Sequence, residues 1–344
     1  MIEGHGDDSY RYNHPIVMNF SSNIYSHADL SGLHTYLHER MGVISSYPEP
    51  SAASLETRLA NFHQIPQETV LVTNGATEAI YLIAQSYACK NVQVLQPTFR
   101  EYADACTING CKVSALYQLP TQREHFRLDN GVEMLWLCNP NNPTGNTLNK
   151  NYLQNLVKAN PQVLFVVDQS YESFVQQPLF TANEALQFDN LILLHSLTKR
   201  YCVPGLRLGY VTASAHLVHH LRTHKMPWSV NALAIEAGHY LLVNDVEGLP
   251  PIDAYLREAQ RLRTNLMATG VVDVWETTTH FMLAQLRMGK AGALKDWLAN
   301  EHGILIRDAS NFRGLTPHHF RVAAQTPEEN DALVAAIAQF IQQR

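Results

Sequence analysis

The chain has 344 residues, of which 46% are hydrophobic and 16% charged, and a formal net charge of -6 at pH 7. This composition predicts a globular protein with a large core and argues against a disordered chain. Because the charges form no long run of one sign, they indicate neither a nucleic-acid groove nor a membrane-binding patch, and we expect a small-molecule partner.

The first 44 residues contain turn formers and aromatic side chains but little strand pattern. We expect this N-terminal segment, residues 1–44, to pack against the C-terminal part of the chain or a partner subunit. Its opening, MIEGHGDDSYRY, lacks the basic and then apolar stretch of a signal peptide, and no apolar run in the sequence approaches membrane-spanning length. We therefore predict a cytoplasmic protein.

Apolar runs of strand length alternate with amphipathic segments between residues 45 and 245. VLVTN (70–74) predicts a strand, and TEAIYLIAQSYA predicts the helix after it. Further strand-like runs are NVQVLQP, MLWLC (134–138), VLFVVD (163–168), LILLHS (191–196) and LGYVTAS, with the helix-like NKNYLQNLVKAN among them. The alternation predicts a large α/β domain over residues 45–245 with a mainly parallel central sheet.

The pattern changes after about residue 245. A charged helical segment, AYLREAQRLRTNLMATG, is followed by the strand-like segments WETTTHFMLAQL, ILIRD and FRVAA. Helical patterns in GALKDWLANEH and EENDALVAAIAQFIQQ are interleaved with these strands. We predict a second, smaller α+β domain over residues 246–344.

Small and polar residues follow the predicted strands of the large domain, where ligands of open α/β sheets bind. These positions carry NGAT (74–77), PTF (97–99), NPNNPTG (139–145), Asp168 and Lys199. Gly75, Ala76 and Thr77 begin a helix, whose free N–H groups favour an anion such as phosphate, although an ordinary helix cap would use the same residues. The chain contains neither G-x-G-x-x-G nor G-K-[ST], so dinucleotide and P-loop sites lose their main support.

Asp168 and Lys199 come at the ends of apolar strand-like runs. A buried carboxylate needs a cation or hydrogen-bond donors, and desolvation lowers the pKa of a lysine to yield an amine that can form a Schiff base. Taken singly, each residue could also be a surface or salt-bridged strand end. An anion site, an aromatic residue, an acid and a lysine are together the parts that pyridoxal phosphate requires.

Histidines and cysteines give no sign of a metal site or a disulfide framework. His34 and His38 are four positions apart on a predicted helix, but no third ligand or H-E-x-x-H motif follows, so we predict no metal. The cysteines lack C-x-x-C spacing and are predicted to be reduced core thiols. They are Cys89, Cys106, Cys111, Cys138 and Cys202.

Over its full length the chain resembles the class I/II pyridoxal-phosphate aminotransferase superfamily of fold type I. The resemblance lies in TNGATEAI, PTF, NPNNPTG, DQSY and HSLTK, the last with an arginine eight positions after its lysine. It implies a large cofactor-binding domain with a mainly parallel sheet, a smaller α+β domain, and pyridoxal 5'-phosphate as cofactor. It also implies a homodimer with shared active sites.

The resemblance implies a role for each matching residue. Lys199 would bond covalently to the cofactor and move the proton at the substrate Cα, and Asp168 would keep the ring nitrogen protonated. Phe99 would stack on the ring, and Asn142 and Tyr171 would hydrogen-bond its phenolic oxygen, so that Lys199, Asp168 and Tyr171 are the catalytic residues. The residues implied for the cofactor phosphate are Gly75, Ala76, Thr77, Ser196, Arg207 and, from the neighbouring subunit, Tyr47.

Two arginines are candidates for binding the substrate. Arg321, in HHFRVAA, matches the superfamily arginine that usually binds the substrate carboxylate. Arg307, in GILIRDAS, is a second inward candidate, and an exposed strand arginine is the alternative. Both a phosphate and a carboxylate on the substrate would need such cations.

The N-terminal stretch favours one reaction. GHGDDSYRY followed by NFSSNIY resembles the opening of L-threonine O-phosphate decarboxylases of cobalamin biosynthesis, which are relatives of histidinol-phosphate aminotransferases and often begin with His-Gly-Gly. Here Asp7 replaces the second glycine. We predict decarboxylation of L-threonine O-phosphate to aminopropanol phosphate. The substrate-binding candidates are Arg321, Arg307, Asn23 and His5.

Two other functions stay open from the sequence. One is an aminotransferase of the histidinol-phosphate type, which would hold the Cα–H bond perpendicular to the cofactor ring, where a decarboxylase holds the Cα–carboxylate bond. The other is a pyridoxal-phosphate-binding regulator without turnover. Regulators of that kind carry an added DNA-binding domain, whereas this sequence begins at the enzyme-like segment and is acidic overall.

Overall fold

The computed structural model describes residues 6–117 and 126–342. Its strands are β1 (Met18–Asn19), β2 (Val70–Asn74), β3 (Asn91–Gln96), β4 (Lys112–Tyr117), β5 (Met134–Cys138), β6 (Leu164–Asp168), β7 (Leu191–Ser196), β8 (Leu208–Ala213), β9 (Val272–Val274), β10 (Phe281–Leu286), β11 (Ile304–Leu305), β12 (Arg307–Asp308) and β13 (His319–Ala323).

The α-helices are α1 (Ser31–Glu39), α2 (Ala53–His63), α3 (Gly75–Ser86), α4 (Glu101–Ile108), α5 (Lys150–Ala159), α6 (Ala182–Ala185), α7 (Leu197–Arg200), α8 (Ala215–His224), α9 (Ala232–Leu241), α10 (Ile252–Ala268), α11 (Ala291–His302) and α12 (Pro327–Gln342). Short 3-10 helices cover Ser9–Arg11, Met41–Ser45, Gln67–Thr69, Glu172–Phe174 and Pro204–Leu206.

A seven-stranded sheet of order β2-β8-β7-β6-β5-β3-β4 forms the centre of the molecule. β8 is antiparallel to both of its neighbours, and the pairings from β7 to β4 are parallel. This confirms the predicted α/β class with a mainly parallel sheet. Every residue of β5 and β6 is buried, because helices cover both faces of the sheet.

Three clusters of apolar side chains hold the helices on this sheet. On one face α3, α4 and α8 pack on strand residues such as Val94 and Trp136. On the other face α5 and α6 pack on Leu135 and Phe165. Helices α2 and α9 cover β2 and β8 around Val72. Both faces of the sheet are therefore covered, and a ligand can approach only where the strands end.

A four-stranded antiparallel sheet, β12-β13-β10-β9, forms a second layer with α10, α11 and α12. The N-terminal segment contacts both parts of the molecule. β1 pairs with β11 and Phe20 is buried in the second core, whereas Leu33 of α1 packs with the residues around α9. The domain limits at residues 44/45 and 245/246 stay a prediction.

The structure corrects three sequence-based assignments. β4 was not predicted, because it is an edge strand of partly exposed residues without a continuous apolar run. The first half of WETTTHFMLAQL is a loop, since the hydroxyls of Thr277 and Thr279 bond to backbone carbonyls and compete with strand pairing. Cys89 is exposed, so the prediction of a core thiol is wrong at that position, whereas the other four cysteines are buried.

Among residues 6–117 and 126–342, none of the helices combines the length and apolar character that crossing a membrane requires.

A buried ion pair joins the N-terminal segment to α11. Lys295 Nζ donates to both carboxylate oxygens of Asp8, at 2.7 Å from Oδ1 and 2.5 Å from Oδ2, and both side chains are 7% exposed. Nearby, the Tyr12 hydroxyl donates to Asp296 Oδ1 at 2.8 Å. These contacts attach residues 8–12 to the second layer.

Replacing Lys295 with alanine would leave the Asp8 carboxylate buried without its main partner. We expect the free energy of unfolding to fall by about 3 kcal/mol, measured by urea denaturation. Lys90→Ala is the matched control, since Lys90 and Glu133 form an ion pair with both side chains about 40% exposed, and should cost less than about 1 kcal/mol. An equal loss in the two variants would show that burial adds nothing to the Asp8–Lys295 pair.

Candidate active site

A cavity of about 300 Å³ lies at the carboxyl edge of the central sheet and is lined by residues of both layers. The strand register explains which residues meet there. Cys138 and Asp168, the last residues of β5 and β6, are partners in the ladder, and Ser196 at the end of β7 pairs with Gly209. Because β8 runs against its neighbours, its first residues lie at this same edge.

The N-terminus of α3 and Arg207 form one wall of this cavity. Ala76, Thr77 and Arg207 line it. The side chain of Asn74 makes no capping hydrogen bond to α3, so the structure does not favour the ordinary helix cap as the reason for this sequence. Free N–H groups at a helix start, together with a guanidinium, suit a bound phosphate.

Two glycines allow the close packing behind this wall. Gly75 has a φ of +73°, and a Cβ at that position would lie 2.9 Å from Arg207 Nη2. A Cβ at Gly209 would lie 2.6 Å from the backbone nitrogen of Ala76. Any larger residue would displace the helix start or the arginine. Gly75 therefore allows Arg207 to pack against the start of α3. Ser196, at the end of β7, lines the cavity beside these residues.

Asp168 faces the cavity and is 4% exposed. Its Oδ2 accepts a hydrogen bond from the Tyr102 hydroxyl at 2.6 Å, and its Oδ1 accepts one from the backbone N–H of Ser170 at 2.8 Å. Two donors compensate the loss of hydration of this carboxylate. The carboxylate is thus held at the cavity wall in one orientation.

Lys199 lies in α7, three residues beyond the end of β7, so the prediction that it ends the strand is wrong. Its Nζ donates to the carbonyl oxygen of Ser22 at 3.0 Å. Burial, followed by the positive charges of Arg321 and Arg207, lowers the pKa of Lys199 to about 8. Far more of this amine is therefore uncharged near neutral pH than in an ordinary lysine, and the uncharged form is the one that can act as a nucleophile or base.

Asn142, Tyr171 and Phe99 also line the cavity. Burial raises the pKa of Tyr171 to about 12, so its hydroxyl stays protonated. The Asn23 side-chain amide donates to that hydroxyl at 3.2 Å. Asn23 is not among the residues that line the cavity, although its neighbours Ser22 and Ile24 are. Its role in substrate binding stays a prediction.

Arg307 and Arg321 are direct register partners on β12 and β13, and both line the cavity. Arg307 Nη2 donates to Asn311 Oδ1 at 2.7 Å, and Arg321 Nη1 donates to Asn142 Oδ1 at 2.5 Å. Burial lowers the pKa of each arginine to about 10, and for Arg307 the charge of Arg321 adds to the effect. Arg307 is buried, so the exposed-arginine alternative is excluded.

Tyr47 lies away from the cavity. Its side chain is 88% exposed, and its ring packs beside Trp228 with the ring centroids 5.7 Å apart. The role expected for Tyr47 concerns a neighbouring subunit, so this exposed position suits that role. His5 lies outside the described residues.

The structure adds cavity residues that sequence patterns did not identify. The carbonyl oxygen of Ser21 accepts a hydrogen bond from Arg321, and that of Ser22 accepts one from Lys199. Every residue type has a backbone carbonyl, so the sequence could not predict these two contacts. Tyr102 follows the PTF motif by three positions, which is the signal that could have identified it. The remaining additions are Gly6, Asp7, Ile24, Ile80, Arg100, Cys138, Ser170, Thr198, Pro204, Asn311 and Phe312.

These residues fit the pyridoxal phosphate that the resemblance implies. The wall of α3 and Arg207 has the donors for a phosphate, and the Lys199 amine and the Asp168 carboxylate face the same space. Arg321 Nε is buried and has no hydrogen-bond partner among the described residues. A buried guanidinium with an unpaired donor indicates that an anion belongs beside it.

Comparison with known proteins agrees with this geometry. The model of the family "Aminotransferase class I and II" matches residues 15–337. Threonine-phosphate decarboxylase of Salmonella typhimurium is 28% identical over 331 residues, which cover 93% of this chain and 90% of that protein. Histidinol-phosphate aminotransferase of Parabacteroides distasonis is 29% identical over 303 residues, which cover 85% of each chain.

A solved structure is also similar to this chain. The crystal structure of L-threonine-O-3-phosphate decarboxylase from Porphyromonas gingivalis matches with a TM-score of 0.90 and 34% identity. The match covers 95% of this chain and 100% of that one. The likeness therefore extends over both layers of the molecule.

The Lys199 amine should lose its proton near pH 8, well below an ordinary lysine, since burial and two nearby arginines disfavour its charged form. Competitive labelling of the cofactor-free protein with acetic anhydride, quantified by mass spectrometry, should show Lys199 reactivity rising with pH and half-maximal near pH 8. Arg321→Met should move that midpoint to higher pH, because it removes one of the charges. A midpoint above pH 10 in the unchanged protein would contradict this expectation.

Proposed function

The chain belongs to the class I and II aminotransferase family, and on that basis we propose that it is a pyridoxal-phosphate enzyme that decarboxylates L-threonine O-phosphate. The reaction breaks the bond between Cα and the carboxylate, releases carbon dioxide and adds a proton at Cα, which yields aminopropanol phosphate for cobalamin biosynthesis. Two similar proteins, from Salmonella typhimurium and Porphyromonas gingivalis, are named for this substrate.

The observation that carries the proposal is the pair of buried arginines at the cavity wall. Arg307 and Arg321 lie opposite each other in adjacent strands. Two guanidinium groups side by side repel each other and lose hydration, which a substrate bearing a carboxylate and a phosphate would compensate. Of the two groups on the substrate, the phosphate is the better partner for a paired site because it carries more charge.

Bound pyridoxal phosphate supplies an electron sink for the electron pair that a broken bond leaves at Cα. The residues that would hold it are those of the cavity. Ala76, Thr77, Ser196 and Arg207 would bind its phosphate. The Asp168 carboxylate would hold the proton of its ring nitrogen.

The other side chains orient the substrate and control protons. Phe99 would cover the ring face, while Asn142 and Tyr171 would donate to its phenolic oxygen. Lys199, with part of its population uncharged, would exchange a proton at Cα. If Arg307 and Arg321 bind the substrate phosphate, the carboxylate is free to stand perpendicular to the ring, which selects decarboxylation.

The reaction is tested by incubating the holoenzyme with L-threonine O-phosphate and no keto acid. We expect carbon dioxide release over many turnovers and accumulation of aminopropanol phosphate, followed by mass spectrometry. Lys199→Ala should abolish turnover. Amino transfer from histidinol phosphate to a keto acid, without carbon dioxide release, would establish the aminotransferase instead. Cofactor binding without turnover of either substrate would indicate the non-catalytic regulator.

Arg307→Met should lower kcat/KM for L-threonine O-phosphate by about 10-fold to 100-fold, because a charge-assisted contact to the substrate is lost. The bound cofactor, measured by its absorbance, should be unchanged. Arg313→Met is the matched control, since Arg313 lies exposed in the same connection between β12 and β13. An equal effect of both substitutions would contradict a role for Arg307 in substrate binding.

We also propose that the enzyme is a homodimer. Large apolar side chains are exposed in two short stretches, Met41, Ile44 and Tyr47 in one and Met226 and Trp228 in the other, and the rings of Tyr47 and Trp228 pack together. Apolar residues grouped in this way mark interaction surfaces. A second copy of the chain is the occupant that places Tyr47 at the neighbouring cavity, as the resemblance implies.

Ile44→Asp should convert the dimer to a monomer, because it places a carboxylate in this apolar surface. Analytical ultracentrifugation measures the change, and cofactor affinity should fall with it if Tyr47 reaches the partner's site. Met288→Asp is the control, since Met288 is 65% exposed but lies in the second layer after β10. A dimer that survives Ile44→Asp would place the interface elsewhere.

A further inference from the structure

Tyr102 contacts the candidate catalytic carboxylate directly, and no motif assigned it a role. It lies in the first turn of α4, and its hydroxyl donates to Asp168 Oδ2 at 2.6 Å. Tyr102 also lines the cavity. The phenol therefore bonds the carboxylate from within the wall of the site.

The surroundings of Tyr102 hold its hydroxyl in place. The residue is fully buried, and its ring stacks on Trp136 with the centroids 5.1 Å apart and the planes 14° apart. The Phe99 ring meets it edge-on at 5.7 Å. A ring packed on two sides cannot change rotamer without opening a cavity.

The hydroxyl can act only as a donor towards Asp168. Burial, and then the nearby Asp168 carboxylate, raises the pKa of Tyr102 well above its usual value. The proton therefore stays on the phenol over the range in which enzymes work. An O–H that donates to a carboxylate stabilises its ionised form and fixes the position of the accepting oxygen.

The other oxygen of Asp168 is held as well, by the backbone N–H of Ser170 at 2.8 Å. A carboxylate bonded through both oxygens cannot rotate about its own axis. Its remaining acceptor positions then point in fixed directions. Orientation of this kind is what a contact to a ring nitrogen requires.

We propose that Tyr102 is a positioning residue for the reaction, which holds the Asp168 carboxylate in a fixed orientation towards the cofactor ring nitrogen. The inference rests on the proposed pyridoxal-phosphate function. It assigns Tyr102 no contact with the substrate. Its effect should therefore be seen in cofactor binding and kcat, with little change in KM.

The chain contains a matched control. The Tyr81 hydroxyl donates to the Glu101 carboxylate at 2.8 Å, outside the cavity lining. Tyr81→Phe and Tyr102→Phe each remove one phenol-to-carboxylate hydrogen bond and keep the ring. Only the second should affect the site, although both should lower stability slightly.

The test measures the holoenzymes carrying Tyr102→Phe, Tyr81→Phe, Asp168→Asn and the double substitution at 102 and 168. Tyr102→Phe should raise the pyridoxal phosphate dissociation constant about tenfold, as expected for one hydrogen bond to a charged group. It should lower kcat by a similar factor, because the carboxylate loses one of the two hydrogen bonds that fix its orientation. Tyr81→Phe should do none of these.

The double substitution separates positioning from packing. If Tyr102 acts through Asp168, Tyr102→Phe should change the dissociation constant less than about twofold once Asp168 is asparagine. Additive effects, or a loss confined to the unfolding temperature, would overturn the inference. Should Tyr102→Phe fold poorly, 3-fluorotyrosine at position 102 alters the donor strength of the phenol while keeping its shape, and a change in the dissociation constant is again expected.

The cofactor measurements do not depend on the substrate. If L-threonine O-phosphate is not turned over but Tyr102→Phe weakens cofactor binding in the coupled manner, the proposed reaction fails and the role of Tyr102 stands. If turnover is observed and cofactor binding is unaffected, the role of Tyr102 fails alone.

Discussion

Crowding of positive charge in a small buried space is the constraint on which the site depends. Lys199, Arg307 and Arg321 surround one cavity, and burial lowers the pKa of each of them. In the chain itself Lys199 and Arg321 are bonded to neutral oxygens, the carbonyls of Ser22 and Ser21 and the side chain of Asn142. Such contacts offset only part of the lost hydration, so the free energy of the site improves when anions bind.

The crowding of positive charge in a buried space also explains the lowered pKa of Lys199. Burial and the charges of Arg321 and Arg207 outweigh the opposing effect of the Asp7 carboxylate, so the pKa of Lys199 is lowered, and its amine donates only to the carbonyl oxygen of Ser22 among the described contacts. The carboxylate that the mechanism needs, that of Asp168, accepts hydrogen bonds from the Tyr102 hydroxyl and the backbone N–H of Ser170. The Lys199 amine and the Asp168 carboxylate are thus held by separate sets of hydrogen bonds.

Chain topology brings these groups to one place. The reversal of β8 carries Arg207 to the carboxyl edge of otherwise parallel strands, and Gly209 lets that strand approach the start of α3. The second layer contributes Arg307 and Arg321 from adjacent strands. The N-terminal residues lie between the two layers, held by β1 pairing with β11 and by the Asp8–Lys295 ion pair. A shift of either layer would therefore be felt in the cavity.

The sequence by itself determined the elements whose cause is local. VLVTN, MLWLC and LILLHS form strands at the predicted residues, because continuous apolar runs of that length are stable only inside a covered sheet. The strand-end motifs, together with the family resemblance that they carry, predicted that seven residues share one site, and all seven line the cavity: Ala76, Thr77, Phe99, Asn142, Asp168, Ser196 and Arg207. Tertiary structure alone decided four contacts: Lys199 with Ser22, Tyr102 with Asp168, Asn23 with Tyr171, and Asp8 with Lys295. Those contacts join residues far apart in the chain, in one case through a backbone carbonyl, so neither residue type nor spacing in the sequence predicts them.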